Sequence, residues 1–316
     1  MQSKVTKIIF FGTTEFSTVI LNQLIDLKKY QLTAVVTQPD QPQGRKKIIT
    51  PPPVKIIALK NNIKLIQPQN LKTTDANSWP ESDIGIVVDY GQIIPEKIIK
   101  KFNHKLLNIH PSLLPKYRGP SPIQTALIKG DTKTGITIIE LDSNMDHGPI
   151  VSQQQHVINP EDTFTTLKQK LALKSANLLM KTIPKYINNR LKPKTQKHNQ
   201  ASYTNIITKQ DGCVRWQQSA LEIYNHWRAL NHWPGIYTKS AQLSGIKNKK
   251  IFPLKLINIK PYSDKIKPKQ KPGQIFAHNK KLIVACGHKT YIEIIQIQPA
   301  GKKILKPAEF INGYLR

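Results

Sequence analysis

The first half of this 316-residue chain alternates short apolar runs with stretches able to hold helices, and that alternation limits the fold more than any other feature. The runs at 7–11, 32–36, 63–66, 84–88 and 106–109 are four or five residues long, with segments such as Ser17 to Leu27 and Pro53 to Lys60 between them. Short runs that are apolar throughout suit strands covered on both faces, and parallel strands need long crossovers between them. An α/β architecture is predicted, with a doubly wound, mostly parallel sheet. Gly12 closes the first strand-to-helix turn, but the segment from Gly12 to Phe16 lacks the G-x-G-x-x-G spacing, so a dinucleotide is not supported.

The alternation stops after a long helical stretch from Thr163 to Ile187. Residues 188–200 turn polar, basic and Pro-containing, as a linker would. Beyond them lie one helix, Ser219 to Leu230, and β-rich runs at 251–259, 274–276, 282–285 and 291–297, for which a small β-barrel is the natural closure. The expected division is a first domain at 1–188, a linker at 189–205 and a second domain at 206–316. No apolar run approaches the roughly 20 residues needed to span a bilayer, and the chain opens directly on a strand pattern. A soluble cytoplasmic protein without a membrane partner is the expectation. Cys213 and Cys286 lack metal-like spacing, so two reduced thiols and no metal are expected.

Candidate chemistry gathers where two of the predicted strands end. Asn108 and His110 are two apart on an extended run that stops at Pro111, so their side chains share a face. The β-branched run from Gly135 to Asp142 is a second strand, and the turn-rich segment from Ser143 to Pro149 presents Asp146 on a loop. Ligands of open α/β sheets gather outside the carboxyl ends of strands. An amide and an imidazole at one point can hydrogen-bond a carbonyl oxygen that turns negative during attack, and a carboxylate behind the imidazole orients it and raises its basicity. That set suits acyl transfer to an amine without a covalent intermediate. Spacing alone leaves open the other reading, that these are ordinary polar loop residues.

The string from Asn108 to Gln124, Asn-Ile-His-Pro-Ser-Leu-Leu-Pro-Lys-Tyr-Arg-Gly-Pro-Ser-Pro-Ile-Gln, with Asp-x-x-x-Asp-x-Gly at Asp142 to Gly148, resembles the signature of the folate-dependent formyltransferases. Further segments are similar to members that formylate methionyl-tRNA: Lys7 to Phe16, Val36 to Lys47, Val87 to Pro95, Ser202-Tyr-Thr, Trp233-Pro-Gly and Gln298 to Lys303. The resemblance implies a Rossmann-like formyltransferase domain followed by an OB-like barrel. It implies Asn108, His110 and Asp146 as catalytic residues. It further implies a folate site at Ser112, Leu113, Leu114 and Pro115, with Val88, Tyr90, Gly91 and Asp142 around the pterin. Arg45, Lys46 and Lys47 would grip the tRNA acceptor end. The co-substrate would be 10-formyltetrahydrofolate, with no tightly bound cofactor, and the acceptor methionyl initiator tRNA, served by a monomer. Relatives acting on glycinamide ribonucleotide or a nucleotide-linked amino sugar share the chemistry, and a non-catalytic RNA-binding relative is the reading from another class.

The formal net charge is +29, which favours a polyanionic partner. Residues 1–200 carry 28 basic and 14 acidic groups and residues 201–316 carry 20 and 5, so the excess is denser in the second domain. A lysine-rich composition from an AT-biased genome is the competing explanation, and the basic stretch Lys265 to Pro272 reads as an exposed loop. The chain departs from the pattern of the tRNA-modifying members at Pro111, Asn144, Gln41 and Asp89. Asn144 stands where glycine is usual, in a turn where Asn tolerates the left-handed region best after glycine.

Overall fold

Ile8, Ile9, Phe10 and Phe11 are all buried in β1 (Thr6–Gly12), as a strand covered by helices on both faces requires. The computed structural model describes residues 5–44, 46–247, 251–264 and 270–315. After β1 come α1 (Glu15–Asp26), β2 (Tyr30–Val36), β3 (Gln41–Gln43), β4 (Ile48–Thr50), α2 (Pro53–Lys60), β5 (Leu65–Ile66), β6 (Ile84–Val88), α3 (Glu96–Ile99), β7 (Leu106–His110), α4 (Pro122–Ile128), β8 (Lys133–Glu140), β9 (Ile150–Val157) and α5 (Phe164–Ile187). The first compact unit comprises the chain through Pro122, Lys133–Val157 and Leu167–Thr204.

Its sheet has the order β5-β2-β1-β6-β7-β8-β9. The strands from β5 to β7 are parallel, and β8 and β9 run antiparallel beyond them. This is the doubly wound, mostly parallel sheet that the alternation predicts. Strand order reverses between β1 and β6, which opens a crevice at their carboxyl ends. Thr14 caps α1 by accepting from the Phe16 amide at 3.2 Å, and Ser17 Oγ donates to the Val88 carbonyl at 2.6 Å, tying the helix start to β6. Pro53 opens α2, where its missing N–H costs nothing.

Two elements escape the sequence pattern. The β3–β4 hairpin is short and exposed, with Ile48 and Ile49 each 62% exposed, so no buried face imposes alternation on it. Strand β9 carries Gln153, Gln154 and Gln155 in succession, which an edge strand tolerates because only one neighbour pairs with it. Within 189–205, Lys194 bridges Ile150 and Tyr203 bridges Arg118.

Phe11 centres the core on one face of the sheet, its ring 5.9 Å from Trp79, 5.7 Å from Tyr90 and 6.3 Å from Phe102. The Tyr90 hydroxyl is buried there and, among the described residues, finds no hydrogen-bond partner. Burial pushes its pKa above the ordinary phenol value. Tyr90→Phe removes an unsatisfied group without changing shape, so chemical denaturation is expected to show equal or greater stability, by up to about 1 kcal/mol. A loss larger than that would reveal a partner for the hydroxyl.

The second unit comprises Ile123–Thr132, Ile158–Thr166 and the chain from Asn205. It contains α6 (Ala220–Leu230), β10 (Ile236–Lys239), β11 (Pro253–Tyr262), β12 (Ile275–His278), β13 (Lys281–Ala285), β14 (Tyr291–Pro299) and α7 (Pro307–Tyr314). Ser219 and Glu222 form a reciprocal capping box at the start of α6. The strands form one antiparallel sheet, β10-β11-β14-β13-β12. Ser244, just after β10, pairs with Gln274, just before β12: the Ile275 amide donates to Ser244 O at 3.0 Å and the Ser244 amide to Gly273 O at 3.0 Å. The edges of the sheet therefore meet, and the domain is barrel-like as its strands predict. Leu254, Leu282, Ile292, Ile294 and Phe310 are fully buried in this unit. Residues 265–269 of the basic stretch lie outside the described residues. Cys213 and Cys286 are free thiols. Among the described residues no helix is long and apolar enough to cross a membrane, and no cluster of ligands fits a metal ion.

Candidate active site

The period of two along β7 puts Asn108 and His110 on one face, and β7 ends as the chain reaches Pro111. Asp146 lies on the loop between β8 and β9, in the left-handed region at φ 49°. The turn is therefore accommodated at Asp146, while Asn144 uses its amide N–H to bond Asp142 Oδ1 at 2.9 Å. Asn108 Nδ2 donates to Asp146 Oδ1 at 3.2 Å, and His110 Nδ1 lies 3.5 Å from the same oxygen. The Gly119 amide donates to Asp146 Oδ2 at 2.7 Å. His110 is 5% exposed, and its Nε2 stands 2.8 Å from the Tyr117 carbonyl. A carbonyl only accepts, so Nε2 carries a hydrogen and Nδ1 faces the carboxylate. One proton between Nδ1 and Oδ1 turns a lone-pair repulsion into a charge-assisted contact. Asn108 Nδ2 thus donates to this oxygen and His110 Nδ1 joins it as a second donor when the ring is protonated, an arrangement that suits an oxyanion, with the Asp146 carboxylate as the proton acceptor of the site.

The Asp146 loop is held by residues that sequence reasoning passed over. Gln196 Nε2 donates to the carbonyls of Asp146 at 2.9 Å and Gly148 at 2.8 Å. Gln196 Oε1 accepts from Nη2 and Nε of Arg118, at 2.7 and 3.2 Å. Asp142 accepts from His147 Nδ1 at 2.8 Å, and the His147 ring stacks on His198 at 4.0 Å. Loss of solvent, then His147, then Arg118 hold His198 below the usual histidine pKa. A lone glutamine in a polar segment carries no signal, and Arg118 offered only its place inside the motif.

Segment Ser112 to Pro115 is laced to β8 and β9. Thr137 Oγ1 donates to Ser112 O at 2.7 Å and accepts from Leu114 N at 3.1 Å, and Gln153 Nε2 donates to Leu114 O at 3.0 Å. Ser112 and Leu114 are buried, while Leu113 and Pro115 are half-buried. The side chains of Val88 and Tyr90 face the core, and the Tyr90 carbonyl already accepts from Thr13 Oγ1 and Gln38 Nε2. Only Gly91 is exposed among these three. Asp89 accepts from Thr14 Oγ1 at 2.5 Å, so its charge is tied to the first turn. Lys46 and Lys47 are exposed on the turn of the β3–β4 hairpin and Gln41 on its edge; Arg45 lies outside the described residues.

The sequence matches the formyl transferase family over residues 6–183 and the formyl transferase C-terminal domain over residues 206–315. The chain belongs to the formyl transferase family. Its formyl transferase relatives include methionyl-tRNA formyltransferases of Staphylococcus epidermidis, 40% identical over 98% of this chain and 96% of that protein, and of Enterococcus faecalis, 38% identical over 98% and 96%. That of Bacillus subtilis is 36% identical over 98% and 95%. Among solved structures, the sugar 3N-formyl transferase WlaRD with dTDP and 5-N-formyl-THF aligns with a TM-score of 0.65 at 22% identity, covering 95% of this chain and all of that one, 100%. The N-formyltransferase of Helicobacter canadensis with folinic acid and dTDP-3-aminofucose aligns with a TM-score of 0.67 at 19% identity, covering 93% and 99%. At such identities the two structures support the formyl transferase fold alone.

Proposed function

We propose that this formyl transferase moves the formyl group of 10-formyltetrahydrofolate to the α-amino group of methionyl initiator tRNA. The convergence of Asn108 Nδ2 and His110 Nδ1 on one oxygen of Asp146 carries the chemical part of this reading. The near full-length relatives named methionyl-tRNA formyltransferase support the acceptor, and so does the +29 charge. The amine nitrogen bonds to the formyl carbon, and the carbonyl oxygen becomes an oxyanion that takes hydrogen bonds from Asn108 Nδ2 and from Nδ1–H of a protonated His110 in place of Asp146 Oδ1. Asp146 takes the proton that the amine gives up, the bond from carbon to N10 breaks, and the proton ends on N10. An ester-linked amino acid has a less basic amine than a free one, so more of it is neutral near pH 7.

The folate would lie against Ser112, Leu113, Leu114 and Pro115, approached by backbone at Val88, Tyr90 and Gly91 and by Asp142. The working division is a catalytic domain at 1–188, a connection at 189–205 and a tRNA-binding domain at 206–316. The reading also implies a monomeric, cytoplasmic enzyme. It is tested by offering the protein 10-formyltetrahydrofolate with methionyl initiator tRNA, glycinamide ribonucleotide or an amino-sugar nucleotide, each alone. Formyl transfer to tRNA is the expected result; transfer only to the other two would sink the acceptor assignment. Arg45, Lys46 and Lys47 form the proposed grip on the acceptor end. Replacing all three with glutamine is expected to raise the KM for tRNA and to lower the slope of log affinity against log salt by about 3, close to one per phosphate contact. Unchanged tRNA kinetics across a salt series would remove the hairpin from the interface.

A further inference from the structure

Arg118 is 1% exposed, yet its hydrogen-bond partners among the described residues are neutral: Gln196, His198 Nδ1 at 2.9 Å and the Tyr203 hydroxyl at 3.3 Å. A buried guanidinium without an anion contributes little to stability, so its worth lies in what its rigid fork orients. What it orients is the Gln196 amide. A guanidinium cannot accept, so the amide oxygen must face Arg118 and the amide nitrogen must face the other way, onto the carbonyls of Asp146 and Gly148. The residue after Arg118, Gly119, donates to the Asp146 carboxylate. Asp146 is thus held through its backbone by Gln196, which Arg118 aims, and through its side chain by Gly119, the neighbour of Arg118. Its backbone lies in the left-handed region, which Asp tolerates better than most residues, and these hydrogen bonds hold it there.

We infer that Gln196, locked by Arg118, is a positioning residue that sets Asp146 for proton transfer. This rests on the role proposed above for Asp146. Gln196→Glu separates the two halves of the amide's work: it still accepts from Arg118 but no longer donates to the two carbonyls. Gln196→Ala removes both halves. Each variant is expected to lower kcat by about 10- to 100-fold, the effect of displacing a reacting group by about 1 Å, with the KM for 10-formyltetrahydrofolate within about threefold of the parent. Hydrogen exchange at the Gly119 amide should quicken in Gln196→Glu, while its Tm stays near that of the parent because Arg118 keeps an acceptor. Parent-like kcat and parent-like Gly119 protection in Gln196→Glu would overturn the inference and leave Gln196 as a partner for Arg118 only. A loss confined to KM would overturn it as well. The exchange experiment needs no substrate. Lost Gly119 protection in Gln196→Glu, in a protein that formylates none of the three amines, would sustain the positioning role while the proposed function fails.

Discussion

Asp146→Asn is expected to lower kcat for formyl transfer to methionyl-tRNA by about 10²- to 10⁴-fold, the range for removing a positioned general acid or base. The substitution keeps the shape of the side chain. An asparagine oxygen at the same place can still accept from Asn108 Nδ2 or the Gly119 amide, which meet the carboxylate at 3.2 and 2.7 Å. It cannot take the amine's proton or balance a protonated His110, whose Nδ1 is 3.5 Å away. The loss should therefore appear in single-turnover formylation, with little change in Tm. Asn108→Ala, which removes one of the two donors, is expected to cost about 10²- to 10³-fold. An Asp146→Asn protein within about threefold of the parent rate would remove the carboxylate from the mechanism, and the same result for Asn108→Ala would remove the amide.

Gly148→Ala should damage the same site from two residues away. A Cβ at Gly148 would stand 1.8 Å from the Glu140 carbonyl oxygen, a contact that only backbone movement relieves. Glu140 is poorly able to give way. It ends β8, its amide donates to the Pro149 carbonyl at 3.0 Å, and its carboxylate is bonded by the Tyr186 hydroxyl at 2.7 Å and by Lys105 at 2.6 Å. The loop carrying Asp146 must move instead. The expected cost is about 1 to 3 kcal/mol of stability from the forced contact. A fall in kcat of about 100-fold should accompany it, as a misplacement near 1 Å produces. Thermal unfolding and formylation assays on one preparation check both. Parent-like activity with an unshifted Tm would show that the loop has room the structure does not reveal.

The two halves of the site were not equally legible in the sequence. Asn108 and His110 read directly, because period-two geometry is local and a strand ending at Pro111 carries them to the sheet's carboxyl edge. Placing Asp146 beside them required a motif, since a loop position depends on what holds the loop. Here that hold comes from Gln196, 50 residues along the chain, and from the Gly119 amide, 27 residues away. The expected left-handed turn at Asn144 falls instead on Asp146, which external hydrogen bonds restrain. Val88 and Tyr90 carried a family resemblance, but whether their side chains faced a ligand or the core was decided by packing, which buries Val88 fully and sets Tyr90 against Phe11.

By itself the sequence determined the mostly parallel sheet, the change to a β-rich second part after α5, the motif and the basic excess. These rest on local periodicity, residue type and charge, which the chain carries wherever it goes. Only the tertiary structure decided that the barrel-like sheet closes through Ser244 and Gln274, that Ile48 and Ile49 sit on an exposed hairpin, and that a buried Arg118 aims a glutamine at the Asp146 loop. Those arrangements depend on hydrogen bonds between segments distant in the chain, made by residues whose types are common and whose spacing carries no period.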